Sequence, residues 1–123
     1  MTASSHAVAL VTTAALAAAD KKADDILAFD VSDQLAITDA FLLCSAPNER
    51  QVAAIVDAVE ERLRLEHDTK PVRREGHRDG GWVLLDYLDV VVHVLHAEQR
   101  VYYSLERIWK DCPAIPLPEE VRV

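Results

Sequence analysis

The sequence is poor in the residues that interrupt, cross-link or positively charge a chain. Three glycines and five prolines among 123 residues exclude a collagen-like or low-complexity chain and leave few breaks between elements. The only two cysteines, Cys44 and Cys112, lie far apart without a CxxC partner. That excludes a zinc knuckle and a dense disulfide framework and reads as two reduced thiols of a cytoplasmic protein. Cations are scarce: thirteen face twenty-one acids, for a formal net charge of −8. Phosphate backbones repel such a body, so direct nucleic-acid binding is disfavoured. No apolar run is long enough for a membrane span. Residues 7–19 imitate a secretory h-region, but no Lys or Arg precedes them, and Lys21 and Lys22 follow, where cations favour a helix C-terminus. What is abundant is apolar surface, 50% of residues, enough for one core. The expectation is a single domain over residues 1–123, with 1–6 and 114–123 as flexible tails.

Ser4 or Ser5 can cap a first, alanine-rich helix running to about Lys22. Residues 25–32 (DILAFDVS) and 39–45 (DAFLLCS) suit buried strands. Asn48 then caps the clearest amphipathic helix, with Val52, Ile55, Val56, Val59 and Leu63 at steps of three and four. Residues 70–75 form a short strand closed by Gly76, and 77–81 read as a loop. Residues 82–86 (WVLLD) and 89–95 (DVVVHVL) are stronger strands in hairpin spacing. Residues 97–110 form a closing helix, which Pro113, Pro116 and Pro118 cannot continue. This order predicts an α/β fold: a mixed sheet of about five strands packed with helices.

A two-residue turn at Tyr87-Leu88 pairs Asp86 with Asp89, Leu84 with Val91 and Trp82 with His93. One face of the ribbon is then wholly aliphatic (Val83, Leu85, Val90, Val92, Val94), as helices require. The other carries Trp82, Leu84, Asp86, Asp89, Val91 and His93, a mixture suited to a partner. The opposed carboxylates call for a nearby cation. A three-residue turn would exchange the faces, and polarity favours the shorter one. A Trp covered by its own chain is the alternative that geometry alone leaves open; Trp is also the residue type most enriched at binding hot spots.

Catalytic chemistry finds little support. His93 and His96 are three apart on a strand and point to opposite faces, which disfavours a shared metal. Asp30, Asp86 and Asp89 could in principle gather around a divalent ion, the basis of a rival reading as a metal-dependent nucleotidyltransferase. No GxxxxGK[ST], GxGxxG or GxSxG accompanies them. Cys44 sits in an apolar run with no base supplied. No metal, cofactor or catalytic residue is expected. A third reading is a dimerisation module that meets its own copy through the Trp82 face.

Several blocks recur in order. Asp25-Ile26 precedes Asp30-Val31-Ser32, residues 38–41 (TDAF), and Ser45 with residues 48–51 (NERQ). Arg74-Glu75-Gly76, residues 81–87 (GWVLLDY) and 89–94 (DVVVHV) follow, then Arg100, Tyr103, Leu105, Glu106 and Trp109. Together they resemble the ribosomal silencing factor, or Iojap, family over roughly residues 8–113. The resemblance implies a non-enzymatic factor with a fold related to nucleotidyltransferases but lacking their catalytic set. It further implies binding to the large ribosomal subunit through universal ribosomal protein L fourteen, with steric obstruction of small-subunit joining, and in some members dimers off the ribosome. Trp82, Leu84, Asp86, Asp89, Val91 and His93 fall in the family's hairpin block. Arg100, Tyr103 and Glu106 match its last block, as partner contacts or as scaffold. Leu88 departs from the pattern: it stands where the family typically has glycine, and a positive φ there would cost Leu about 1 kcal/mol or more.

Overall fold

A computed structural model of the protein describes residues 3–35, 37–76, 81–98, 100, 107 and 109–122. The first helix, α1 (Ser5–Asp20), starts where the Ser4 hydroxyl accepts the Ala7 amide at 3.1 Å, which satisfies one of the unpaired donors of the first turn. Its alanines do more than favour helix. Ala7, Ala14, Ala15, Ala17 and Ala18 are buried with Leu10 and Val11, because a side chain of one carbon lets the helix lie close to its neighbours. The second helix, α2 (Glu49–His67), starts at Asn48, whose side chain accepts the Gln51 amide at 2.9 Å. It buries Val52, Ile55, Val56, Val59 and Leu63, the stripe set by their spacing. It stops at Asp68, which takes the left-handed conformation (φ 51°).

Between and after the helices run β1 (Asp24–Asp30), β2 (Ala40–Ala46), β3 (Arg73–Glu75), β4 (Trp82–Asp86) and β5 (Val90–His96). They form one sheet in the order β1-β2-β5-β4-β3. β2 and β5 are parallel and every other pair is antiparallel, so the sheet is mixed, as expected. Both helices cover one side, against Ala28, Ala40, Leu42, Cys44, Val83, Leu85, Val90, Val92 and Val94. β5 lies at the centre and is buried on both sides from Val90 to Leu95, which is why it reads as nearly continuous valine.

Three expectations need correction. First, the hairpin register is shifted by two residues. Asp86 stands opposite Val91, Leu84 opposite His93 and Trp82 opposite Leu95. The Tyr87 amide donates to the Val90 carbonyl at 2.8 Å, so Leu88 and Asp89 make the turn. The shift is even, so every side chain keeps the predicted face. Second, Asp86 and Asp89 therefore do not oppose each other. Asp86 is flanked instead by Arg73 on β3, whose Nη2 lies 3.3 Å from Asp86 Oδ2. Third, the described residues of the two ends are hydrogen-bonded to the body of the fold. The Ala3 amide donates to Asp30 Oδ2 (2.8 Å) and the Ser4 amide to Asp39 Oδ2 (2.9 Å). Residues 113–115 run along the outer edge of β1: the Asp30 amide donates to the Pro113 carbonyl (2.8 Å) and the Ile115 amide to the Ala28 carbonyl (2.9 Å). Ile115 and Val121 are buried in the core, Val121 within a short 3-10 turn, Glu119–Arg122. Prolines bar a helix here, but they do not bar an extended edge.

Of the helix expected over 97–110, residues 97, 98, 100 and 107 are helical, residues 109–111 turn, and the rest lie outside the described residues.

Candidate functional site

The side of the sheet away from α1 and α2 is divided in two. Over β1, β2 and β5 the chain covers itself: Trp109 packs edge-on against Phe41 with ring centroids 5.0 Å apart. Arg100, only 6% exposed, donates from Nη1 to the Asp25 carbonyl at 2.6 Å and to Ser45 Oγ at 3.3 Å. A buried guanidinium bound to backbone carbonyls beside the irregular start of β1, where Asp25 has φ 50°, holds that bulge in place. Over β4 the surface is less covered, and Trp82, Leu84 and Asp86 alternate as half-buried side chains.

The sequence-selected residues therefore fall into three groups. Trp82, Leu84 and Asp86 share one half-buried face of β4, and Asp89 is half-buried in the turn that follows. Val91, His93 and Arg100 are buried beneath or beside it. Tyr103 and Glu106 lie outside the described residues. Asp89 plays its structural part through its main chain, since its carbonyl accepts the Asp39 amide (2.9 Å) and the Ala40 amide (3.1 Å). Asp86 also accepts the Leu88 amide at 2.8 Å, which ties the turn to the strand that precedes it.

Trp82 is anchored rather than loose. Its indole Nε1 donates to His93 Nδ1 at 3.3 Å, and His93 in turn meets the edge of Phe41, centroids 5.1 Å apart. Burial pushes the His93 imidazole down to about 4, so the ring is neutral near pH 7 and its Nδ1 serves as acceptor. Trp109, Phe41, His93 and Trp82 thus form one line of ring contacts from the covered half of the face to the less covered half.

Two members of this surface were not singled out by sequence reasoning. Glu75 lies opposite Leu84 across β3 and β4, and Gly76 follows it with φ 89°. A Cβ on Gly76 would stand 2.0 Å from the Trp82 carbonyl oxygen, so only glycine lets β3 turn away so close to β4. The Arg74-Glu75-Gly76 triplet carried the signal; what was missing was the strand register.

The carboxylates of the rival enzymatic reading are not brought together. Asp30 alternates with Phe29 and so lies on the helix-covered side of β1, whereas Asp86 is on the opposite side, three strands away. Asp30 is engaged locally. Burial would raise its pKa, but hydrogen bonds from the Ser32 hydroxyl and from the Ala3 and Ser32 amides hold it below the usual carboxylate value. Among the described residues no group of three or more His, Cys, Asp or Glu could hold a metal ion. The Cys44 thiol is pushed up to about 12 by burial, the state of an inert packing group.

This sheet and its ring-lined face belong to a class of small α/β proteins with solved relatives. A crystal structure of a protein from Chromobacterium violaceum superposes with a TM-score of 0.78 at 34% identity, covering 83% of this chain and 84% of that one. A second, from Bacillus halodurans, gives 0.75 at 37% identity, covering 89% and 98%. The family model described as ribosomal silencing factor during starvation matches residues 4–123. The ribosomal silencing factor RsfS of Bacillus subtilis is 40% identical over 104 residues, 85% of this chain and 87% of that protein. The chloroplastic protein Iojap of Zea mays is 32% identical over 106 residues, 85% of this chain and 45% of the maize protein. The chain belongs to the ribosomal silencing factor family.

Proposed function

We propose that the protein binds the large ribosomal subunit through universal ribosomal protein L fourteen, sterically prevents the small subunit from joining, and thereby represses translation. The observation that carries this reading is the undivided run of half-buried Trp82, Leu84 and Asp86 on the less covered half of the sheet, next to Asp89. An anchored indole with Glu75 beside it and Asp86 further along the same strand face suits a cationic protein partner, because Trp supplies contact area and the acids supply sign. The action is occupancy, with no enzymatic step, no cofactor and no membrane. The net charge of −8 favours a basic ribosomal protein over bare RNA. In this reading the factor works in the cytoplasm, and a homodimer off the ribosome would be a storage form that closes the same face.

The test is reconstitution. Purified large subunits preincubated with the protein are expected to yield fewer joined ribosomes on a sucrose gradient, and an unchanged profile at saturating protein rejects the proposal. Trp82→Ala and Asp89→Arg are expected to weaken subunit binding about tenfold or more, roughly 1.4 kcal/mol. Asp89→Arg leaves the main-chain bonds of Asp89 in place, so its circular dichroism and melting temperature are expected to match the parent.

A further inference from the structure

Five large apolar side chains are exposed among the described residues, and three of them, Ile37 (73%), Val72 (61%) and Leu88 (51%), belong to one end of the sheet. Main-chain hydrogen bonds put them there. The Val72 amide donates to the Asp86 carbonyl and the Leu88 amide to Asp86 Oδ1, both at 2.8 Å. Ile37 shortly precedes Asp39, whose amide donates to the Asp89 carbonyl at 2.9 Å. The three therefore follow the sheet order from the start of β2, through the β4–β5 turn, to the start of β3, a row of roughly 15 Å at about 4.8 Å per strand. Apolar side chains exposed singly are ordinary, whereas a row of them edged by polar groups marks a surface that another protein covers.

Leu88 adds an independent sign. Its φ of 72° strains a leucine where glycine would be at ease, and its half-exposed side chain recovers little of that inside the fold, so the return lies in a contact outside it. Charge then sets the kind of partner. Half-buried Asp39, Asp86 and Asp89 are interleaved with the apolar row. Lys70 and Arg73 offset them only at the β3 side, where Arg73 lies 3.3 Å from Asp86. A phosphate-rich surface is repelled by such an edge on a molecule of net charge −8. We propose that this row docks a segment of the protein partner that presents aliphatic side chains flanked by Lys or Arg. The inference rests on the binding reading above, because Asp86 and Asp89 belong to both surfaces.

The probe is a short amphipathic peptide of leucine and lysine, titrated into the full-length protein while the Ile37, Val72 and Leu88 methyl resonances are followed by NMR. The comparison peptides carry serine for every leucine, or glutamate for every lysine. The parent peptide is expected to shift all three sets of resonances saturably, and each comparison to bind about fivefold more weakly or worse. Leu88→Asn is expected to weaken the parent peptide about fivefold or more. Asparagine tolerates the left-handed backbone, so the variant is expected to melt at or above the parent temperature. Absence of a saturable shift, equal titration by either comparison, or an unaltered titration in Leu88→Asn overturns the proposal. So does a concentration-dependent mass of the parent protein that Leu88→Asn abolishes, which would give the row to a second copy of the chain. In a second arm, Leu88→Asn combined with the isosteric Val72→Thr is expected to lower co-sedimentation with large subunits about tenfold or more. If the parent sediments with large subunits and the double variant does so equally, the subunit-binding reading stands and this inference falls. If the parent fails to sediment while the peptide titration succeeds, the subunit-binding reading falls and the row stands as a protein-docking surface.

Discussion

Leu88 holds a left-handed φ of 72° in the β4–β5 turn and is 51% exposed. The backbone strain therefore brings little burial in return. Leu88→Gly is expected to raise stability by about 1 kcal/mol in urea unfolding, with the loss of rotational freedom by glycine offsetting part of a strain of about 1–2 kcal/mol. Two residues before it, Asp86 closes the turn from its side chain, a bond that the pattern of apolar and polar residues does not reveal. That is why the faces of the hairpin were legible and its register was not: face follows from parity alone, whereas register depends on which residues turn. His93 gives a second prediction. Its pKa in the folded protein, about 4, lies below the 6.5 of the free side chain, so the unfolded chain binds the extra proton. Stability should be complete above about pH 6.5, fall as pH drops toward 4, and level off below that, a loss of order 3 kcal/mol. Urea unfolding at pH 7 and pH 4.5, compared between the parent and His93→Gln, isolates this contribution, and equal pH slopes in the two would contradict it.

At the level of elements, α1, α2, β4 and the succession of helices and strands along the chain could be read from caps and periodicity, because each depends on neighbours within a few residues; the order of the strands within the sheet, with β2 beside β5, could not. Ser4 and Asn48 do cap the helices. Removing the Asn48 side chain as Asn48→Ala is expected to cost about 1 kcal/mol of thermal stability. The segment 113–121 was not legible, since its partners Ala28, Phe29 and Asp30 lie more than eighty residues earlier and no local pattern announces a pairing at that distance. Deleting residues 113–123 removes Ile115 and Val121 from the core and uncovers the edge of β1. The expected loss is about 4 kcal/mol, and hydrogen exchange at the Asp30 amide should accelerate with it. Unchanged exchange there would show that this contact does not protect β1. The candidate site was only partly readable for a related reason. Trp82, Leu84 and Asp86 are on one strand, but Glu75 joins them only through the β3–β4 register.

For the whole molecule, charge and shape act together. Both helices are committed to one side of the sheet, so the other side alone presents strand residues, and the chain's own residues Trp109 and Arg100 cover part of it. The net charge of −8 works against contact with bare RNA. Excess naked ribosomal RNA at roughly physiological salt is therefore expected not to compete with large subunits for the protein, whereas raising ionic strength should weaken subunit binding only to the extent of a few ion pairs; effective competition by RNA would contradict a protein-directed contact.

The pairing of residues 113–115 with β1 also bears on how the protein is made. During translation β1 emerges early, with β2 soon beside it, yet its outer margin finds its mate only after β5 and the chain as far as residue 115 have been synthesised. Through that interval a nascent chain carries a bare strand border, open to another polypeptide, because the residues that cap it have yet to be made.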